Sequence, residues 1–166
     1  LLKDDNQVLD VGCGTGTFLT LGKRKYPKCH FTGIDPDESI IEIAKNKIKK
    51  NELDVVLLES GAEKLPFHEN YFDFVVSSLA FHHMPTDIKK KALKEIYRVL
   101  KPKGKLILAD IGKPKNMLWK IILSIESVVE PKEYIRDNLN GDLPTYIKDA
   151  GFKLSQLNKP TLGIYF

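Results

Sequence analysis

Five short runs rich in β-branched and aromatic residues punctuate the first two-thirds of this chain, with helical patterns between them. The runs are QVLDV (7–11), HFTGI (30–34), DVVLL (54–58), FDFVVS (72–77) and KLILAD (105–110). Runs this short and this apolar suit strands buried on both faces. Between them, residues 37–50 repeat apolar side chains at Ile40, Ile41, Ala44 and Ile48, and residues 87–100 do so at Ile88, Ala92, Ile96, Val99 and Leu100. Each spacing gives a helix one stripe to lay on a sheet. Strands alternating with helices imply right-handed βαβ crossovers. The expected fold is therefore a doubly wound α/β domain with a mostly parallel sheet and helices on both faces. Lys101-Pro102 should end the second helix, with Lys103-Gly104 turning into the next strand. Near the end, "DAGFKLSQL" and "TLGIYF" read as a helix end and two more strands, the last antiparallel.

Polar residues stand at or near the carboxyl ends of the predicted strands: Asp10, Asp35, Glu59-Ser60, Ser77-Ser78 and Asp110. In an open parallel sheet those ends share one edge, and ligands bind outside it where the strand order reverses. A length of 166 residues suits a single domain, 1–166, with its own core. Residues 113–140 form a longer connection, in which Leu118, Ile121, Ile122, Ile125, Val128 and Val129 suggest an amphipathic helix. That stripe reads as core or crevice wall, or as a lid for a greasy substrate, a dimer surface or, with Lys113, Lys115 and Lys120, a membrane-facing rim. The net charge is +4, without arginine-rich or aromatic–basic tracts, so nothing signals nucleic acid. Lys45, Lys47, Lys49 and Lys50 read as a solvated helix face. No run is long enough to span a bilayer. The two cysteines, Cys13 and Cys29, form neither a disulfide framework nor a metal spacing. A cytoplasmic, reducing setting is expected.

The stretch VLDVGCGTGTF (8–18) follows the first strand directly. Glycines let a ligand approach the main chain, and the following helix, roughly 15–25, favours an anionic group at its start. The dinucleotide fingerprint G-x-G-x-x-G does not fit. Counted from Gly12, the third glycine would fall on Thr17; counted from Gly14, it would fall on Leu19. What stands is Asp10-x-Gly12-x-Gly14-x-Gly16.

That pattern resembles the first motif of the class I S-adenosylmethionine-dependent methyltransferases, which have a Rossmann-like fold. "FTGIDPDESIIEIAKNKI" resembles their second motif, "SGAEKLPFHENYFDFVVSSLAFHHMP" their third and fourth, and "ALKEIYRVLKPKGKLILAD" the lead into the fifth strand. Order and spacing are similar to the subfamily called methyltransferase type 11, which includes quinone-methylating enzymes. The likeness covers about Val8 to Ile111. It implies S-adenosylmethionine as cofactor and a small-molecule acceptor. Asp10 and the loop of Gly12, Cys13, Gly14 and Gly16 would meet the methionine portion. Asp35, followed by Pro36, would accept from the ribose hydroxyls. Ala62 and Glu63 would lie along the adenine, and Ser77 near the methionine end. Two departures stand out. Relatives carry an acid where this chain has Gly61, so Glu63 or a backbone carbonyl would have to make that adenine contact. Relatives also carry a helix ahead of the first motif, whereas nine residues precede Asp10 here. The cover for the cofactor would then be missing, displaced or outside this sequence.

Methyl transfer is an in-line displacement, so holding acceptor and methyl in line supplies much of the effect. A poorly acidic acceptor also needs a base. His82 and His83 are the candidates, because imidazole titrates near neutrality, and His82 is preferred. Either could instead pack over the cofactor or bond locally. Asp10 could serve only its loop, Asp35 could cap the helix that begins at Pro36, and Cys13 reads as a small loop residue rather than a nucleophile. An aminopropyltransferase is disfavoured by the apolar Leu79-Ala80-Phe81. A nucleic-acid or protein methyltransferase lacks its Asn/Asp-Pro-Pro-Tyr motif. A non-catalytic binding or scaffold module of the same fold is the alternative from another class.

Overall fold

A computed structural model describes residues 2–112 and 132–154, and the backbone of 164–165. The apolar stripe at 117–129 lies outside the described residues. The elements run β1 (Gln7–Val11), α1 (Thr17–Lys25), β2 (His30–Asp35), α2 (Glu38–Lys50), β3 (Val55–Glu59), β4 (Phe72–Ser78), a 3₁₀ turn (Phe81–His83), α3 (Thr86–Val99) and β5 (Leu100–Ile111). After the gap come α4 (Lys132–Asn140), α5 (Leu143–Asp149) and β6 (Ile164–Tyr165).

The sheet order is β3-β2-β1-β4-β5-β6. Strands β1 to β5 are all parallel, and Asp10 sits between Gly33 of β2 and Val76 of β4. Among the described residues, antiparallel pairing is confined to a two-residue bridge, Ile164–Tyr165 against Asp110 and Ile111. Phe152–Leu154, expected to open a strand, is irregular.

Alternation along the strands divides the core. Leu9, Val11, Ile34 and Val75 face Ala92, Leu93, Ile96 and Val99 of α3 and Leu143 and Ile147 of α5. Val8, Phe31 and Val76 face Leu19 of α1 and Ile41 and Ile48 of α2. Each such fully buried aliphatic or aromatic side chain stabilises by roughly 1.5–3 kcal/mol, which fixes strand register because a one-residue slip would exchange the faces. The helices start where their caps allow. Asp37 caps α2 through its Oδ1, which accepts from Ser39 N at 2.8 Å and Ile40 N at 3.3 Å. α1 begins at Thr17, later than expected, because Gly16 at φ +72° is its cap.

The turn expected at Lys103-Gly104 is a bulge inside β5. Phe72 already pairs with Leu100, and the next pair is Phe74 with Lys105. Pro102 has no N–H for the ladder, and Lys103 takes φ +70°, so 101–104 leave register.

Candidate active site

The strand order reverses between β1 and β4, and the glycine loop leaves the sheet at that point. Gly12, Gly14 and Gly16 all have positive φ, at +72°, +52° and +72°. At Gly12 a Cβ would lie 2.4 Å from Ala80 Cβ, so only glycine fits between loop and turn. At Gly14 a Cβ would meet nothing within 4 Å: here the bare backbone borders open space.

The loop amides are not all open, as the ligand reading had them. Gly12 N and Cys13 N both donate to Ile34 O at 2.9 Å, and Gly14 N donates to Asp35 Oδ2 at 3.0 Å. No side chain caps the first turn of α1, so its amides are the ones left for an anionic group. Lys47, read as part of a solvated face, is half-buried and donates to Thr15 Oγ1 and Thr17 Oγ1, both at 3.0 Å.

Asp10 is buried at the end of β1, and burial, helped by the nearby Asp35, pushes its carboxyl up to about 7. Cys13 is pushed up to about 12, first by burial and then by Asp10 and Asp35, so it is no nucleophile. Asp35 is half-buried, and its Oδ1 accepts from Asp37 N at 3.1 Å. The cap of α2 is Asp37, so Asp35 is not the helix cap that the sequence allowed. Pro36 is exposed beside it.

In the loop that follows β3, Ala62 is buried and Gly61 half-buried, while Glu63 is exposed. Glu63 folds back so that its Oε2 lies 2.4 Å from where a Gly61 Cβ would be. The carboxylate thus occupies the place that a side chain at 61 would take. Ser77 is buried, and its hydroxyl donates to Val11 O at 2.8 Å, clamping β4 to β1. Leu79, two residues on, has φ +54° and is 49% exposed, a strained apolar residue at the switch point.

The 3₁₀ turn carries the histidines. Their ring centroids are 3.9 Å apart. His83 is exposed; His82 is buried, with Nδ1 2.8 Å from Asp110 Oδ1. Asp110 was legible as a strand-end acid but not as the partner of His82. Asn138 and Lys89, which complete its surroundings, gave no signal in the sequence. Among the described residues no group of His, Cys, Asp and Glu could hold a metal ion. A hollow of about 920 Å³ lies beside Tyr97, Leu106, Pro144 and Phe152 and includes none of the candidate residues. No helix among them is long and apolar enough to cross a membrane.

Five parallel strands in this order, a glycine loop at the switch point and an acid closing β2 define a Rossmann-like cofactor-binding domain. A family model described as a methyltransferase domain matches residues 8–104, and the chain belongs to that family, in its class I, S-adenosylmethionine-dependent form. It is 34% identical over 119 residues to a demethylmenaquinone methyltransferase of Listeria welshimeri, a match that covers 70% of this chain and 50% of the relative. The chain spans about half the length of the curated relatives it matches. A SAM-dependent methyltransferase of Aquifex aeolicus superposes with a TM-score of 0.74 at 26% identity, covering 94% of this chain and 77% of that one. The [4+2]-cyclase SpnF superposes at 0.65 with 30% identity, covering 69% and 42%.

Proposed function

We propose that this chain binds S-adenosylmethionine at the β1–β2 edge and transfers its methyl group to a small-molecule acceptor beside His82. The observation that carries the reading is the convergence of Asp10, the glycine loop and Asp35 on one side of the switch point with His82 on the other.

The residues suit this cofactor. A buried acid held near 7 gains from a cationic partner, and an ammonium beside Asp10 would draw it to its charged form. Open space at Gly14 leaves room for close approach to the main chain. Asp35 stands at the end of β2 with lone pairs to spare for a vicinal diol. Glu63, lying over Gly61, is the candidate for the adenine amino group in place of the missing acid. Bound S-adenosylmethionine would supply a methyl carbon on cationic sulfur, which the acceptor's lone pair would take as the C–S pair returned to sulfur. His82 would take the proton that the acceptor loses, leaving an imidazolium against the Asp110 carboxylate.

Quinols are the first candidate acceptors, because the Listeria relative is named for demethylmenaquinone. The likeness to a protein named a [4+2]-cyclase favours a second reading, in which this fold does chemistry other than methyl transfer. Titration calorimetry decides the first step. The wild type should bind S-adenosylmethionine and ignore NAD, and Asp35→Ala should weaken binding. A radiolabelled methyl assay against naphthoquinols, phenols and small amines then follows. Binding without transfer to any of them would favour the non-catalytic reading; no binding by folded protein would sink the cofactor assignment.

A further inference from the structure

The carboxylate of Asp110 is fully buried, and its partners are donors. Oδ2 accepts from Phe81 N at 2.7 Å. Oδ1 accepts from Ile111 N at 2.7 Å and Asn138 Nδ2 at 3.3 Å, and it faces His82 Nδ1 at 2.8 Å. An oxygen already serving two N–H groups asks a third partner for a hydrogen as well. The ring nitrogen it faces must therefore carry one, and in a neutral imidazole Nε2 is then the bare acceptor.

We propose that Asp110 is a positioning residue that fixes His82 as its Nδ1–H tautomer, and that α4 completes the arrangement through Asn138. Seating α4 and orienting His82 are then one event. The coupling is built from side chains. Asn138 Nδ2 also donates to Ile111 O at 3.0 Å, while its Oδ1 accepts from Lys89 Nζ at 2.7 Å. Lys89, wholly buried on α3, also donates to Tyr134 O and to Asp137 Oδ1. Asp137 Oδ2 accepts from Thr86 Oγ1 at 2.9 Å. An apolar contact would tolerate sliding of α4. A buried polar network tolerates one register, because each shifted group would lose a partner away from water.

The role of His82 as a base rests on the proposed function; the tautomer does not. The experiment is long-range ¹H–¹⁵N NMR on the full chain with ¹⁵N-labelled histidine at neutral pH, assigned by loss of signals in His82→Gln. The wild type should show His82 protonated at Nδ1 only. Asp110→Asn, whose amide can donate toward the ring, should lose the Nδ1–H pattern in favour of Nε2–H. Asn138→Ala, which keeps the carboxylate, should give a mixture of the two tautomers. A wild-type His82 protonated at Nε2 alone, or at both nitrogens, overturns the proposal, as does an unchanged spectrum in Asp110→Asn. Should that variant not fold, the wild-type and Asn138→Ala spectra still decide. Calorimetry with S-adenosylmethionine on the same samples separates the claims: the Nδ1–H pattern without cofactor binding defeats the functional reading and leaves the positioning of His82 standing.

Discussion

The two sides of the switch point are built in different ways. On the β1–β2 side the backbone does the shaping: three positive-φ glycines, amides turned onto Ile34 O, and a carboxylate reached within one βα unit. On the β4–β5 side the shaping is done by side chains from four separate elements, joined by Asp110, Asn138, Lys89 and Asp137. The first kind of site is specified locally and recurs wherever the loop recurs. The second depends on distant residues arriving together, so it can differ between relatives that share the first.

That contrast can be broken most severely at Lys89. Lys89→Met leaves Asp137 buried without its cation, and losing one partner of a buried pair costs about 3–5 kcal/mol. Urea denaturation should register that loss, concentrated in the docking of α4. On the other side, Gly12→Ala combines an unfavourable φ with a Cβ 2.4 Å from Ala80 Cβ. Strain and overpacking together should cost about 2–4 kcal/mol, read from the same curves.

Asp35→Ala tests whether the backbone-built side binds. It removes the proposed acceptor for two ligand hydroxyls, and calorimetry should show a loss of roughly a hundredfold in S-adenosylmethionine affinity, about 2.7 kcal/mol. An equal loss on Asn138→Ala would erase the distinction between the two sides.

Asp10 sharpens the contrast through pH. Its carboxyl rises from 3.8 unfolded to about 7 folded, so the folded chain holds that proton more tightly. The stabilisation is full below about pH 4 and is gone above about pH 7, a fall of up to ~1.4 kcal/mol per pH unit between them. Asp10→Asn should flatten this slope and leave the ligand-free chain more stable at pH 8 while weakening cofactor binding. A wild-type stability that rises across that window in proportion to Asp10 would contradict the burial argument. The smallest effect belongs to the exposed pair Lys28–Asp4, at 71% and 66% exposure, where Lys28→Ala should change stability by no more than about 0.5 kcal/mol.

The difference in construction also explains what could be read from the chain itself. The β1–β2 side was legible because its chemistry is contiguous: a strand, three alternating glycines, then an acid ending the next strand. The five parallel strands followed from their β-branched runs. Asp110 was visible at a strand end, yet nothing in sequence joins it to a histidine 28 positions earlier or to Asn138 as far ahead. Lys47 looked like a solvent-facing lysine and Lys89 gave no signal, since periodicity does not reveal a polar partner across a packed helix. Asp37 took the capping role that adjacency had offered to Asp35. The bulge at 101–104 was anticipated as a turn, because Pro102 marks a break in pairing without saying on which side of a strand it falls.

The closeness of Gly12 and Ala80 ties the two sides together at one point. The glycine loop rests directly on the residue that caps the turn carrying His82. Position 80 is therefore closed to larger side chains unless the loop moves with it. Leu79 and His83, which are exposed, flank that contact without taking part in it. A transplant of the whole turn from a relative would succeed only with a donor that is equally small at this seam. The meeting of the two sides thus turns on a single methyl group, that of Ala80.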